Sequence, residues 1–431
     1  MNVLIIGNGG REHALAFRCS LSPLAEKVFV APGNPGIEVD GGKLVCVPIK
    51  ASDTPALIEF AKSHNVGLTI VGPEAPLVAG VVDAFKEAGL KIFGPSKAAA
   101  QLEGSKSFTK DFLKRHNIPT AAFEVFTDAK AAEAYVREKG APIVIKADGL
   151  AAGKGVVVAM TVGEAVEAIH SMLDEHAFGE AGARVVIEEF MEGEEASFIV
   201  MSDSVNALPM ATSQDHKRLL DNDEGPNTGG MGAYSPAPVV TPDVYLRVMD
   251  EIINPTLKGM AEDGIPYTGF LYAGLMIDKN GAPRVVEYNC RFGDPETQPI
   301  MLRMRSDLVE LCLKACDKGG LEGETCEYDP RPAVGVVLAA TGYPVKPRHG
   351  DRITGDVRGN GIDTKVFHAG TAFDADRNLI TSGGRVLCAT ALGEDIADAR
   401  SKAYALADAI HFEGKCLRKD IAWRAMARLG R

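Results

Sequence analysis

Over the first hundred residues, apolar runs of strand length alternate with amphipathic runs of helix length, and that alternation leaves few folds open. Asn2-Val-Leu-Ile-Ile6 reads as a strand, Gly7-Asn-Gly-Gly10 as a tight turn and Arg11–Ser20 as a helix. A second strand at Lys27–Ala31 runs into Pro32-Gly-Asn-Pro-Gly36. Helical Pro55–Ser63 precedes strand Leu68–Val71, closed by Gly72-Pro-Glu-Ala-Pro76, and helix Gly80–Ala88 leads to strand Lys91–Phe93. Strands separated by helices connect by crossovers, which makes a parallel sheet with helices on its faces. Ligands on such sheets bind beyond the carboxyl ends of the strands, so the turns at 7–10 and 72–76 are expected at one crevice.

The remainder reads as α+β. A helix over Ser105–His116 is followed by strand Pro142–Lys146, a glycine-rich loop, strand Gly155–Ala159, helix Val162–Met172 and strand Ala183–Glu188. Next come a long polar loop at 213–236, a helix from Pro242 and a strand pair about Lys279-Asn280-Gly281. From Ala333 short strands separated by Gly, Pro and Asp turns dominate (Val334–Ala339, Lys365–Ala369, Gly384–Thr390), then a helix at Glu394–Ile410. A length of 431 residues suits about two to four domains. The fold class is therefore α/β and α+β multidomain. The expected units are 1–104, a connecting helix at 105–122, 123–192, 193–328 and a small α+β unit at 329–431.

A net charge of −12 with no long basic run argues against nucleic acid or an anionic membrane as the main partner. The eight cysteines are scattered and none forms Cys-x-x-Cys; Cys312 and Cys316, one helical turn apart in an apolar stretch, read as buried free thiols. With no signal-peptide pattern and no apolar run of membrane-spanning length, a cytoplasmic protein is expected.

Four stretches carry chemistry. Gly7-x-Gly9-Gly10, between a strand and a helix, is a potential phosphate cradle with Arg11 as a charged fork. A dinucleotide reading is weakened because Glu12 replaces the third glycine and the second strand ends in Ala-Pro-Gly with no carboxylate. A phosphorylated small molecule or a mere tight turn remain open. Glu74 lies at the end of a later strand of the same sheet. Lys146 sits on an apolar strand and must direct its ammonium at an anion or bear a desolvation cost. The following Gly153-Lys154-Gly155 is no P-loop, since neither Ser nor Thr follows the lysine and the chain resumes as a strand. It suits a hairpin flap over phosphates. Downstream, Glu188-Glu189-Phe190 and Glu194-Glu195 offer carboxylates for an adenine amino group or ribose hydroxyls, or else form a solvated acidic linker. The loop holding Asp215, His216 and Lys217 and then Asn227-Thr-Gly-Gly230 is too long and polar to be only a connector. Glu287 and Asn289, two apart on a strand, share a face and offer hard oxygen donors suited to a divalent cation, with Arg291 next on that face. A strand end with a solvated Glu and a turn Asn is the alternative.

Together the strand Lys146, the Gly-Lys-Gly flap, the Glu188–Glu195 stretch and Glu287-x-Asn289 resemble the ATP-grasp ligases. The resemblance narrows with Asn8-Gly-Gly-Arg-Glu-His13, Gly72-Pro-Glu-Ala-Pro-Leu77, Leu102-Glu-Gly-Ser-Lys106, Asp148-Gly-Leu-Ala-Ala-Gly-Lys-Gly155, Gln214-Asp-His-Lys217, Pro226-Asn-Thr-Gly-Gly-Met-Gly232 and Asn289-Cys-Arg-Phe-Gly-Asp-Pro-Glu296. In that order, over essentially the whole chain, these resemble the phosphoribosylamine–glycine ligase family, the glycinamide ribonucleotide synthetases, in their monofunctional form.

The resemblance implies a pre-ATP-grasp N-terminal domain, a two-part ATP-grasp domain and a small C-terminal domain. It implies ATP and Mg²⁺ or Mn²⁺ as cofactors, glycine and 5-phosphoribosylamine as substrates, and a monomer in transient contact with the preceding pathway enzyme. Carried over by position, Lys106, Lys146, Gly153, Lys154 and Gly155 hold ATP phosphates, and Glu188, Glu189, Phe190 and Glu195 hold adenosine. Glu287 and Asn289 ligate the metal. Arg291, Asp294 and Lys217 are the catalytic group, Arg291 toward an acyl phosphate and Asp294 toward an amine. Asn8, Gly9, Gly10, Arg11, Pro73, Glu74, Asp215 and Gly230 bind substrate. Tyr272-Ala-Gly-Leu-Met-Ile277 lacks the acidic metal ligand many ATP-grasp members place there, so a two-ligand site completed by phosphate and water is expected. The runner-up is another ATP-grasp enzyme, such as a carboxylase subunit; no Met-Lys-Met biotin site appears.

Overall fold

The N-terminal alternation folds as a five-stranded parallel sheet in the order Leu44–Cys46, Lys27–Pro32, Asn2–Gly7, Val66–Val71, Ile92–Phe93. The order reverses between Asn2–Gly7 and Val66–Val71, so their carboxyl ends flank the switch-point crevice that such sheets use for ligands. The computed structural model describes residues 1–151 and 155–430; Gly153 and Lys154 lie outside the described residues.

The next unit is a four-stranded antiparallel sheet in the order Phe123–Phe126, Val185–Glu189, Ile143–Ala147, Val156–Ala159. Its inward side chains, Ile143, Ile145, Val185 and Ile187, pack on helices Ala129–Lys139 and Val162–Leu173. Asp128 and Thr161 cap those helices by accepting from Ala131 N–H and Glu164 N–H. The sheet's other face is left for the cleft. There a second antiparallel sheet lies opposite, in the order Ala207–Pro209, Glu194–Asp203, Thr268–Ile277, Pro283–Asn289.

Strand Glu194–Asp203 is buried on both faces, as its near-continuous apolar run requires. Phe198 and Val200 join a core with helix Lys106–Arg115 and the helical stretch 242–262. Ile199 and Met201 join a core that takes in Val3 and Ile5 of the N-terminal sheet and Val337 and Phe367 of the C-terminal part.

The stretch 213–236 is not the open loop that its polarity suggests. Gln214–Asp215 and Gly232–Ser235 enter a third sheet, in the order Gln214–Asp215, Gly232–Ser235, Ala333–Ala339, Arg385–Leu392, Thr364–His368, with helix Ile396–Asp408 on it. Arg218–Leu220 and Glu224–Asn227 form a separate hairpin between them. The middle and the end of the chain are therefore hydrogen-bonded into one sheet. All eight cysteines are free. No described helix is long and apolar enough to cross a membrane.

Candidate active site

The antiparallel ladder sets Glu287 opposite Gly274 and Asn289 opposite Tyr272, with both side chains turned into a cleft of about 840 Å³. Strand pairing ends at Asn289, yet Arg291 still turns back onto this face. Its Nη2 donates to Asn289 Oδ1 at 3.2 Å and lies 3.0 Å from Glu103 Oε1, while Nε lies 3.2 Å from Glu74 Oε2. Glu103 Oε2 in turn accepts from Cys290 N–H at 2.7 Å. Burial opposes the ionised form of Glu74, but Arg291 and Arg11 hold its carboxyl below the ordinary range. Burial likewise opposes the charge on Arg291, and Glu103 and Glu74 overcome it, keeping the guanidinium firmly protonated.

Three ammonium groups converge on Glu287 from three elements. Lys106 opens helix Lys106–Arg115, where Ser105 Oγ accepts from Phe108 N–H, and its Nζ donates to Gly149 O at 3.1 Å. Lys146 Nζ, on strand Ile143–Ala147, donates to Val286 O at 3.2 Å. Lys217 Nζ sits 2.8 Å from Glu195 Oε2 and 3.8 Å from Glu287 Oε1. Burial pushes the Glu287 carboxyl up, but Lys217, Lys146 and Lys106 outweigh it and hold it ionised. For Lys217, burial works against the cation and Glu195, Glu287 and Asp215 raise it well above the ordinary lysine range.

Beside this cluster Glu188 is clamped between two lysines, with Lys146 Nζ at 3.0 Å from Oε2 and Lys110 Nζ at 3.2 Å from Oε1. All three side chains are at least 94 % buried. Burial lowers the Lys110 ammonium to about 8 in spite of Glu188. Glu189 is half exposed, pairs with Arg284 and accepts from Ala122 N–H at 3.1 Å; Phe190 lies partly exposed beside it on the cleft wall.

The N-terminal edge closes the third side. Gly9 N–H, the expected anion donor, donates to Glu12 Oε2 at 2.7 Å, and Arg11 Nε pairs with the same carboxylate. The helix is thus capped by its own Glu12, and only the Arg11 and Glu74 side chains from this edge reach the cleft wall. Asp294 lies across from them, its Oδ2 3.6 Å from where a side chain on Gly9 would begin. Burial raises the Asp294 carboxyl, but Arg385 and Arg11 bring it below the ordinary range. Burial and then Glu296 push Asp215 up to about 8.

Of the residues singled out in the sequence, Arg11, Glu74, Lys106, Lys146, Gly155, Glu188, Glu189, Phe190, Glu195, Asp215, Lys217, Glu287, Asn289, Arg291 and Asp294 line this one cleft. Asn8, Gly9, Gly10, Pro73 and Gly230 stand behind the wall. His216 is turned away, its Nδ1 donating to Gly232 O and its Nε2 accepting from Ala422 N–H. Glu103, Lys110, Tyr272, Glu296, Arg385 and Arg424 also line the cleft and were not foreseen. Glu103 and Glu296 lie inside motifs quoted above, so those motifs held a usable signal; Arg385 stands alone on a strand and had none.

The donors fit a divalent cation together with an anionic ligand. Glu287 and Asn289 supply two hard oxygens, three ammonium groups flank them, and no cluster of three or more His, Cys, Asp or Glu among the described residues offers a self-sufficient metal cage.

Family models described as phosphoribosylglycinamide synthetase match in three pieces: the N domain at 1–103, the ATP-grasp (A) domain at 104–297 and the C domain at 333–424. Phosphoribosylamine–glycine ligase of Yersinia pestis is 65% identical over 428 residues, covering 99% of this chain and 100% of that one. The enzyme of the same name from Escherichia coli K12 is 64% identical, with 99% of both chains covered. The crystal structure of phosphoribosylamine–glycine ligase from Thermotoga maritima superposes with a TM-score of 0.83 at 36% identity, covering 98% of this chain and all of that one. A biotin carboxylase from Campylobacter jejuni shares the fold, with a TM-score of 0.73 at 17% identity over 96% of this chain and 93% of that one.

Proposed function

The chain belongs to the phosphoribosylglycinamide synthetase family, and from that membership we propose how its cleft performs the family's ligation. It is an ATP-dependent ligase that joins glycine to 5-phosphoribosylamine through a glycyl phosphate, giving glycinamide ribonucleotide, ADP and phosphate, the second step of de novo purine biosynthesis. A carboxylate resists amine attack until one oxygen is made a leaving group. The glycine carboxylate oxygen therefore attacks the γ-phosphorus and ADP departs; the amine nitrogen then attacks the carbonyl carbon, phosphate departs and the nitrogen loses a proton.

The observation that carries the assignment of roles is the convergence of Lys106, Lys146, Lys217 and Arg291 around Glu287 and Asn289. Four fixed cations at one point suit a transferring phosphoryl group, whose charge they neutralise. Lys106 and Lys146 hold the ATP phosphates; Gly153 and Lys154, assigned to the same phosphates by the family motif, lie outside the described residues. Glu188, Glu189, Phe190 and Glu195 receive the adenosine. Glu287 and Asn289 would hold Mg²⁺ or Mn²⁺, which would supply charge neutralisation. Arg291, fixed by Glu74 and Glu103, faces the acyl phosphate, and the ionised Asp294 holds an amine. Arg11, Glu74 and Asp215 receive the phosphoribosyl substrate, with Asn8, Gly9, Gly10, Pro73 and Gly230 shaping the wall behind them. Lys217 pairs with Glu195 and keeps Glu287 ionised. The enzyme acts as a cytoplasmic monomer that meets the preceding pathway enzyme transiently.

The test is ADP release from the purified chain with ATP, glycine and freshly made 5-phosphoribosylamine. Release that requires both amines is expected. Release no greater than with either alone refutes the reading.

A further inference from the structure

Arg385 brings a guanidinium from the C-terminal strands to two adjoining turns of the cleft wall, Gly229–Gly230 and Asp294–Pro295. Its strand, Arg385–Leu392, is an inner strand of the sheet that also contains Gly232–Ser235, and Arg385, its first residue, lines the cleft. Nη1 donates to Gly229 O at 2.8 Å and to Asp294 O at 2.9 Å, and lies 3.4 Å from Gly230 O. Nη2 lies 3.5 Å from Asp294 Oδ2. From the same side Tyr343 Oη accepts from Gly229 N–H at 2.9 Å.

The fit leaves no room for other residues. A Cβ on Gly229 would stand 3.0 Å from the Arg385 guanidinium carbon. Gly230 has φ +119° and a Cβ there would meet Pro295 Cδ at 2.4 Å. The Gly229–Gly230 turn and the Asp294–Pro295 turn are therefore pressed together, and a single guanidinium satisfies the facing carbonyls of both. The guanidinium serves the carbonyls through Nη1 while Nη2 faces the Asp294 carboxylate; a lysine has one nitrogen for both tasks. Gln298 Nε2 donates to the other Asp294 oxygen at 2.9 Å, so the carboxylate is held from two directions and its open side faces Gly9 and Arg11.

We propose that Arg385 is a positioning residue for the amine half of the reaction: through Asp294 and the Gly229–Gly230 turn it sets the subsite that receives the amine of 5-phosphoribosylamine, leaving the nucleotide half untouched. Truncation then loosens one subsite only. The proposal rests on the ligase reading above, and wild-type ADP release dependent on both amines is the control that separates the failure of one from the failure of the other.

The experiment is steady-state kinetics of Arg385→Ala and Arg385→Lys in the full chain, each substrate varied in turn. For Arg385→Ala, KM for 5-phosphoribosylamine rises by about tenfold or more while KM for ATP stays within about twofold, and added guanidinium ion at millimolar concentration restores part of the lost kcat/KM. Arg385→Lys keeps the charge but has one nitrogen to share between the Asp294 carboxylate and the carbonyls, so it falls between. If Arg385→Ala does not fold, Arg385→Lys decides alone. Equal rises in KM for ATP and 5-phosphoribosylamine, or wild-type values for both in the lysine variant, overturn the proposal.

Discussion

Glu188 shows most directly what one side chain must do in this cleft. Its two oxygens stand 3.0 and 3.2 Å from the ammonium groups of Lys146 and Lys110, with all three nearly sealed from water. Removing one partner of a buried ionic cluster costs more than the cluster contributes, because the remaining charges lose compensation. Glu188→Gln leaves two buried ammonium groups with Thr120 Oγ1, Val286 O and one uncharged amide oxygen as acceptors, and no counter-charge from residue 188. A loss of roughly 3–5 kcal/mol in urea-unfolding free energy is expected; a loss under about 1 kcal/mol would show that the lysines are already compensated elsewhere. Glu287 is the opposite case. It is one partly exposed carboxylate among three lysines and Arg291, and Glu287→Ala leaves Lys146 paired with Glu188, Lys217 with Glu195 and Arg291 with Glu103, so the chain stays folded but loses the charged metal donor. Turnover should fall by about a thousandfold or more with the thermal midpoint within a few degrees of wild type. Turnover near the wild-type rate would place the metal elsewhere.

Elements transmit that geometry. The first turn of Lys106–Arg115 is tied to the end of strand Ile143–Ala147: Ser107 N–H donates to Asp148 Oδ1 at 2.6 Å, Lys106 N–H donates to Asp148 O at 2.9 Å, and Lys106 Nζ reaches Gly149 O. Asp148→Ala removes an acceptor at a helix N-terminus, a stability cost of about 1 kcal/mol. It also releases Lys106 from its place beside Lys146, so KM for ATP should rise by about tenfold while KM for glycine barely moves. An unchanged KM for ATP would mean that Ser105 and the strand alone fix the helix end. Local pattern explains why such elements were legible in the sequence. Short apolar runs gave the strand read at Pro142–Lys146 and the opening of Pro283–Asn289, and the two-residue period of a strand placed Glu287 and Asn289 on one face. Gln214–Asp215 and Gly232–Ser235 were not legible as strands, because they are short, polar or glycine-bearing, and their partner Ala333–Ala339 lies a hundred residues on. Arg385 was invisible for the same reason: its carbonyl partners come from 229–230 and 294, and no local pattern encodes that meeting. The cradle at Gly9 was legible as a turn but not as one already filled, since the Glu12 side chain that takes its N–H looked like a mere departure from a glycine pattern.

On the scale of the whole molecule, the seams between the C-terminal sheet and the rest are held by buried neutral histidines, and this gives the chain an acid-sensitive assembly. His13 Nδ1 accepts from His368 N–H while its Nε2 lies 2.9 Å from Asp40, which also pairs with Lys365; burial, its largest influence, lowers its proton affinity. His216 joins Gly232 O to Ala422 N–H and is 99 % buried. Its Nε2 must stay unprotonated, because a proton there would face the Ala422 N–H. Burial first, and the nearby Arg418 second, lower the imidazole to about 4 from an ordinary 6.5. The unfolded chain therefore takes up this proton near pH 6.5, and the folded chain only near pH 4. Between those values the unfolded state binds more protons, so the contribution of His216 is complete above about pH 6.5, falls as the pH drops, and is gone below about pH 4. The full loss is roughly 3 kcal/mol at 1.36 kcal/mol per unit. His216→Gln can keep both hydrogen bonds, an amide N–H to Gly232 O and an amide oxygen toward Ala422 N–H, with no ionisation between. The measurement is urea unfolding from pH 7.5 to 4 for both proteins. The variant should begin somewhat less stable at neutral pH and lose roughly 3 kcal/mol less on acidification than wild type. Parallel pH profiles for the two proteins would show that the seam at His216 opens to water before it titrates.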